Sequence, residues 1–123
     1  MKILIKSENA IKVIMCIAES DKIISASTIS KQADIKRNHL VEVLNNLKTC
    51  KLIKSYKGAR GGYRLNKSIE AMTLYDILKA TESKINLVEM KRNKYDEVVK
   101  QFKVIDEVVN KELEKITLAS LMK

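Results

Sequence analysis

Apolar residues recur at helical spacing from Ala10 through Ile11, Ile14, Ile17 and Ala18, so they line one side of a helix. Ser7, followed by Glu8, stands where a capping residue belongs, and the pattern predicts a first helix over about residues 7–20. "KIIS" interrupts that period as a short extended piece. Ser25 then caps "ASTISKQA", a short helix with Ile29 and Ala33 turned inward. "DIK" is a tight connection. The third helix, over about residues 36–50, carries Leu40, Val43, Leu44 and Leu47 on one stripe. Two helices joined by so short a turn outline a helix-turn-helix.

The period then changes to two. "KLIKSYK" alternates apolar and polar residues as a half-buried strand does, "GARGG" is a turn and "YRLN" a second strand. A hairpin directly after the third helix makes a winged helix. Thr73 caps "TLYDILKATES", where Leu74, Ile77 and Leu78 share a side, and a break follows around Ser83–Asn86. From about Val88 to Ile116 a long helix carries Tyr95, Val98, Val99, Phe102, Ile105, Val109 and Leu113 at steps of three and four. A small domain cannot easily cover a stripe of about three heptads from within. A second copy of the chain is the simplest cover, so these seven residues are the candidate dimer interface. Thr117 caps the terminal "TLASLMK". The fold class is mainly α with a small β-hairpin wing. Residues 1–82 are expected to form a winged helix-turn-helix domain, a shape that suits DNA binding. Residues 83–123 form a linker, a long dimerisation helix and a terminal helical turn.

Charge sharpens this picture. The formal net charge is +9 over 123 residues. Residues 1–66 hold 13 Lys/Arg against 5 Asp/Glu, whereas residues 67–123 hold 11 against 10. A basic first half beside a neutral second half suits a polyanion-binding module joined to another element. No apolar run approaches the roughly 20 residues that span a bilayer. The opening "MKILIKSENA" is too short for a signal-peptide core, so a cytoplasmic location is expected. Cys16 and Cys50 fit no metal spacing, and two thiols in such a chain are most simply free.

The third helix offers the base-reading candidates. With its leucines inward, Asn38, Glu42 and Asn45 take the opposite face, Val41 lies at its edge, and Lys36 and Arg37 sit at the amino end. Asn pairs bidentately with adenine, Glu accepts from cytosine, and an apolar side chain meets the thymine methyl. The plain alternative is a solvated helix face. In the hairpin, Lys57 and Arg60 stand ready for phosphate, and Gly61 and Gly62 offer a bare backbone for close approach. Cys16 and Cys50 are either redox sensors or small packing residues. His39, the only histidine, has no nucleophile or metal set beside it. No catalytic constellation stands out, so an enzyme is not expected. A protein-interaction module that kept the winged-helix shape is the competing reading, but it gives no reason for Lys57, Arg60 and Arg64 around three glycines. An RNA-binding winged helix would need exposed aromatics for stacking, and only Tyr56 and Tyr63 are near.

The chain resembles the IscR/NsrR/CymR family of bacterial winged-helix transcription regulators. "MKILIKSENAIKVIMCIAE" is similar to the family's first helix, and "STISKQADIKRNHLVEVLNNLKTCKLIKS" to its helix-turn-helix and first strand. "GARGGYRL" resembles its wing, the most specific piece. "MTLYDILKATE" and "ITLASLM" resemble its post-wing helix and terminal motif. The resemblance implies a homodimer whose long helices pack together, probing a roughly palindromic double-stranded DNA operator, most simply as a repressor. It implies base readout by the third helix, with Asn38, Val41 and Glu42 at reading positions. It also implies minor-groove entry by a wing holding Lys57, Arg60, Gly61 and Gly62.

The chain departs from the family pattern in three places. Asp34 and Lys36 stand where a glycine and a serine cap are usual. His39 replaces a tyrosine, and the next positions read Val41 and Glu42. Cluster-bearing members hold an iron–sulfur cluster with three cysteines between the post-wing helix and the long helix. Here that stretch reads "ESKINLVEMKRNKYD", without cysteine. The resemblance is therefore to the cluster-free, CymR-like branch, with no cofactor expected. A small molecule, a partner protein or thiol oxidation is left as the signal.

Overall fold

The structure, a computed structural model, describes residues 3–82 and 96–122. Helix α1 (Ile5–Ala18) packs against the next three helices and the second strand, and buries Ala10, Val13, Ile14 and Ile17. It starts two residues before its expected beginning, and Ser7 is not its cap. Leu4 takes the cap position without a side-chain bond. Ser7 is fully buried inside the helix, with its Oγ 2.6 Å from Thr81 Oγ1 and donating to Glu82 Oε2 at 3.0 Å. A buried hydroxyl must be paired, and this one is paired across the fold rather than within its own turn.

Helix α2 (Ala26–Ala33) is capped as expected, Ser25 Oγ accepting from the Thr28 N–H at 3.2 Å. Helix α3 (Arg37–Thr49) buries Leu40, Val43, Leu44 and Leu47. It ends in a Schellman motif: Lys51 N–H donates to Lys48 O at 3.0 Å and Leu52 N–H to Leu47 O at 3.0 Å. Glycine normally fills the left-handed position of this motif. Here it is Lys51, with φ 61°, at a cost of about 1 kcal/mol.

Strands β1 (Ile53–Tyr56) and β2 (Gly62–Leu65) pair antiparallel, with Ile53 opposite Leu65 and Lys54 opposite Arg64. Ile24, from the extended piece between α1 and α2, bridges to Tyr63 on β2. Helix α4 (Leu74–Thr81) opens with a capping box: Thr73 Oγ1 accepts from Asp76 N–H at 3.2 Å, and Asp76 Oδ2 accepts from Thr73 N–H at 3.0 Å.

Helix α5 (Asp96–Lys115) is about 30 Å long against about 12 Å for α4, at 1.5 Å per residue. Its expected first turns, residues 88–95, lie outside the described residues. Helix α6 (Leu118–Leu121), capped by Thr117, returns to the core. Leu118 N–H donates to Met72 O at 2.7 Å, Ala119 N–H to Ile69 O at 2.9 Å, and Leu118 is 1% exposed. The terminal turn, grouped with the long helix in the sequence reading, thus packs with the winged helix. It pins the carboxyl end of α5 beside the start of α4, where Leu74 N–H donates to Ile116 O at 2.9 Å.

Candidate nucleic-acid interface

The connection from α2 to α3 sets the angle at which α3 is presented. Asp34 ends α2 in left-handed backbone, φ 53°. That geometry explains why a glycine suits the position, and a short polar side chain such as Asp tolerates it. Ser30 then donates to Ile35 O at 2.6 Å, and Ile35 N–H returns a bond to Ser30 O at 3.1 Å, while the Ile35 side chain is buried. The turn is locked from both backbone and side chain. Arg37 Nη1 adds a bond to Ser27 Oγ at 3.3 Å, tying the first turns of the two helices together.

With the four apolar residues of α3 committed to the core, its other face is open. Lys36, Arg37, Asn38, Val41 and Glu42 are all exposed, as are His39 and Asn45. Val41 keeps 46% of its surface in solvent. Lys36 precedes α3 in extended backbone and makes no side-chain cap bond. Hydrogen-bonding groups, one methyl-bearing side chain and amino-terminal cations therefore stand together on one solvent-facing surface.

The hairpin supplies the second surface. A turn closes it where Gly61 N–H donates to Gly58 O at 2.9 Å, and Lys57, Gly58, Ala59 and Arg60 are all exposed at the tip. The three glycines have separate jobs. Gly58 has φ 107°, with nothing within 4 Å of where a side chain would begin. A methyl on Gly61 would run into the carbonyl of Tyr56 and lie 2.9 Å from Gly58 O. A methyl on Gly62 would meet the carbonyl group of Ile24, 2.6 Å from its carbon. Gly62 is buried, so it is a packing residue where the wing meets the Ile24 bridge and not a surface for a groove wall. Of the wing residues singled out from sequence, Lys57 and Arg60 are exposed cations at the tip, and Arg64 is exposed on β2.

A groove of about 590 Å³ lies between the end of α1, α2 and the wing tip, and its walls include Cys16, Glu19, Gln32 and Arg60. Cys16 Sγ donates to Gln32 Oε1 at 3.2 Å. Burial, and then the neighbouring Glu19 charge, push this thiol above its ordinary pKa, which keeps it protonated and less reactive. Cys50 is exposed in a different groove, beside Lys51, Lys67 and Lys79. No helix among the described residues is long and apolar enough to cross a membrane.

The dimer candidates divide on α5. Val99, Phe102 and Leu113 are half-buried against their own chain, whereas Val98, Ile105 and Val109 are exposed. Tyr95 lies outside the described residues. Val104 and Val108, which the sequence reading passed over, are 55% and 57% exposed and widen that open edge. The apolar surface of α5 is broader than one stripe: α5 packs against α4, and Val98, Val104, Ile105, Val108 and Val109 stay exposed.

The model of the Rrf2 family, described as "Iron-dependent Transcriptional regulator", matches residues 3–123. BadM of Rhodopseudomonas palustris, an HTH-type transcriptional regulator by name, is 34% identical over 110 residues, covering 86% of this chain and 70% of BadM. NsrR of Bacillus licheniformis, also named an HTH-type transcriptional regulator, is 28% identical over 91 residues, covering 72% of this chain and 64% of NsrR. Among solved structures, CymR, titled the global cysteine regulator of Bacillus subtilis, superposes with a TM-score of 0.83. It is 25% identical and covers 98% of this chain and 95% of its own.

Proposed function

This chain belongs to the Rrf2 family of transcriptional regulators, and we propose that it acts as a homodimeric repressor on a roughly palindromic operator. Its relatives are regulators and not enzymes. In this reading α3 enters the major groove and the wing tip reaches the adjacent minor groove. The observation that carries the reading is the exposed face of α3, with Asn38, Val41 and Glu42 beyond Lys36 and Arg37, standing on a locked turn beside a cationic tip. Asn38 and Glu42 read base edges, Val41 meets a thymine methyl, and Lys36, Arg37, Lys57 and Arg60 neutralise phosphate. The dimer forms through the bare edge of α5, from Val98 to Val109, where Val98, Val104, Ile105, Val108 and Val109 gather more exposed apolar side chains than any other helix carries among the described residues.

The family's description mentions iron, and the residues present can be tested against a cysteine-held cluster. The chain has two cysteines. Cys16 is bonded to Gln32 in one groove and Cys50 stands in another. The segment to which the resemblance assigns cluster ligands contains none. Thiolates hold such clusters, so this donor set does not fit one. Regulation in this chain proceeds without a cluster.

The test is selection from a pool of random-sequence duplexes with the purified protein, alongside sedimentation of the protein alone. The expected result is enrichment of an inverted repeat by a dimeric protein. A pool that stayed random after repeated rounds would overturn the reading and favour the protein-interaction module.

A further inference from the structure

The outward face of the hairpin carries charge that contact at the wing tip does not use. Lys54 on β1 stands directly opposite Arg64 on β2, and both are exposed. Like charges in directly opposed cross-strand positions destabilise a sheet. Just before β1, Lys51 occupies left-handed backbone where glycine would sit without strain. Its carbonyl is held by Asn66 Nδ2 at 2.9 Å, so its position is fixed by the hairpin's own bonding. Two cations at adjoining places are thus kept against a local cost, and strain retained at a surface points to use.

The surroundings agree. A groove of about 450 Å³ beside β1 is lined by Lys48, Lys51, Lys54, Tyr56 and Asn66 among others, and by no carboxylate. Among the described residues no ion pair engages Lys48, Lys51, Lys54 or Arg64. Lys67 and Lys79 nearby are already occupied: Lys67 pairs with Asp76 at 3.1 Å, and Lys79 lies 5.5 Å from the centre of the Tyr75 ring. Along β1 the unpaired cations run from Lys51 through Lys54 and past Tyr56 to Lys57 and Arg60 at the tip.

We propose that this outer hairpin face is a second phosphate-binding surface, which holds the backbone of duplex DNA flanking the operator. It rests on the DNA-binding reading and extends it beyond α3 and the wing tip. Duplex DNA is the occupant because the track is continuous with the tip that meets DNA in that reading. A protein partner would also need a cluster of apolar anchors at the centre of its footprint, and among the residues lining this groove Tyr56 is the one exposed large hydrophobic. Phosphate contacts fix register without reading sequence, so the flank's composition does not matter. The four paired residues of the hairpin span about 13 Å, the rise of about four base pairs.

The test compares two duplexes: the selected operator alone, and the same operator with about ten mixed-sequence base pairs added at each end, ample for that span. Affinity is measured over a series of salt concentrations for the wild-type protein, Lys51→Gly, and Lys51→Gly with Lys54→Gln. Lys51→Gly removes the charge while relieving the backbone, so its melting temperature should not fall and lost binding cannot come from misfolding. The wild type should show a steeper salt slope on the long duplex than on the short one. Each lysine removed should reduce that slope by about one unit per protomer, with the short operator bound as before. Equal slopes for the wild type on both duplexes, or variants indistinguishable from it on the long one, would overturn the proposal. So would an equal loss on both duplexes, which would put the contact inside the operator. A protein that binds neither duplex overturns the DNA-binding reading itself, and the two failures are therefore distinct.

Discussion

Gly62→Ala should unfasten the wing from the helical body. A methyl at this position would overlap the carbonyl oxygen of Ile24 and lie 2.6 Å from its carbonyl carbon, where carbon atoms prefer about 3.5–4.0 Å. The obstacle is backbone, so no rotamer relieves it, and the strands must part by about 1 Å. That gap is bridged by two hydrogen bonds, Tyr63 N–H to Ile24 O at 2.8 Å and Ile24 N–H to Tyr63 O at 3.1 Å. An added ångström takes both beyond bonding range. At about 0.5–1.5 kcal/mol each, the loss is on the order of 2 kcal/mol. For a chain of this size that lowers Tm by roughly 8 °C, read at one protein concentration so that self-association does not contribute. Gly58→Ala is the control. It meets no atom within 4 Å and pays only for its φ of 107°, a cost of about 1 kcal/mol. Thermal unfolding of the two variants side by side checks the ordering. If Gly62→Ala melted with the wild type, or above Gly58→Ala, close approach would not be what demands a glycine there.

Three further outcomes follow from the geometry. Val108→Asp and Ile105→Asp should turn a dimer into monomers by sedimentation while sparing protomer stability, because both side chains are exposed on α5. A Val108→Asp, Ile105→Asp double variant that stayed dimeric at low concentration would move the interface elsewhere. Burial alone would raise the Asp76 pKa, but the Thr73 N–H and Lys67 outweigh it and leave the carboxyl below its ordinary value. A group depressed in the folded state stabilises above its unfolded pKa of about 3.9 and loses that contribution as pH falls through the folded value. The stability of Asp76→Asn should therefore fall less steeply with acid than that of the wild type, and parallel acid profiles would count against it. Protein purified without oxygen should hold no stoichiometric iron or sulfide; a visible band lost on substituting Cys16 or Cys50 would contradict the cluster-free reading.

What could be read from sequence was local. Leu40, Val43, Leu44 and Leu47 lie within three turns, and their period alone placed them inward, which fixed the outward face carrying Asn38 and Glu42. The caps at Ser25, Thr73 and Thr117 follow from groups three residues away. Ser7 looked like a cap by the same rule, but its partners are Thr81 and Glu82, 74 and 75 residues along the chain, and no local pattern announces them. The long helix shows the same limit. Spacing reveals that α5 is apolar over a wide arc, yet not that Val104 and Val108 stay exposed while Val99, Phe102 and Leu113 are half-buried. The glycine cluster marked the hairpin correctly. That Gly62 answers to Ile24, rather than to DNA, depends on a strand bridge between residues nearly forty positions apart.

The central claim, that α3 reads bases while the wing tip binds backbone, is tested most directly by titrating Asn38→Ala and Arg60→Ala against the selected operator and a scrambled duplex at two salt concentrations. Asn38→Ala should cost about 1–3 kcal/mol on the operator and far less on the scrambled duplex, because base-edge hydrogen bonds carry discrimination. Arg60→Ala should weaken both duplexes together and flatten the salt slope by about one unit or less. Equal losses on both duplexes for Asn38→Ala would reduce it to a positioning role, and no loss for either variant would contradict the account.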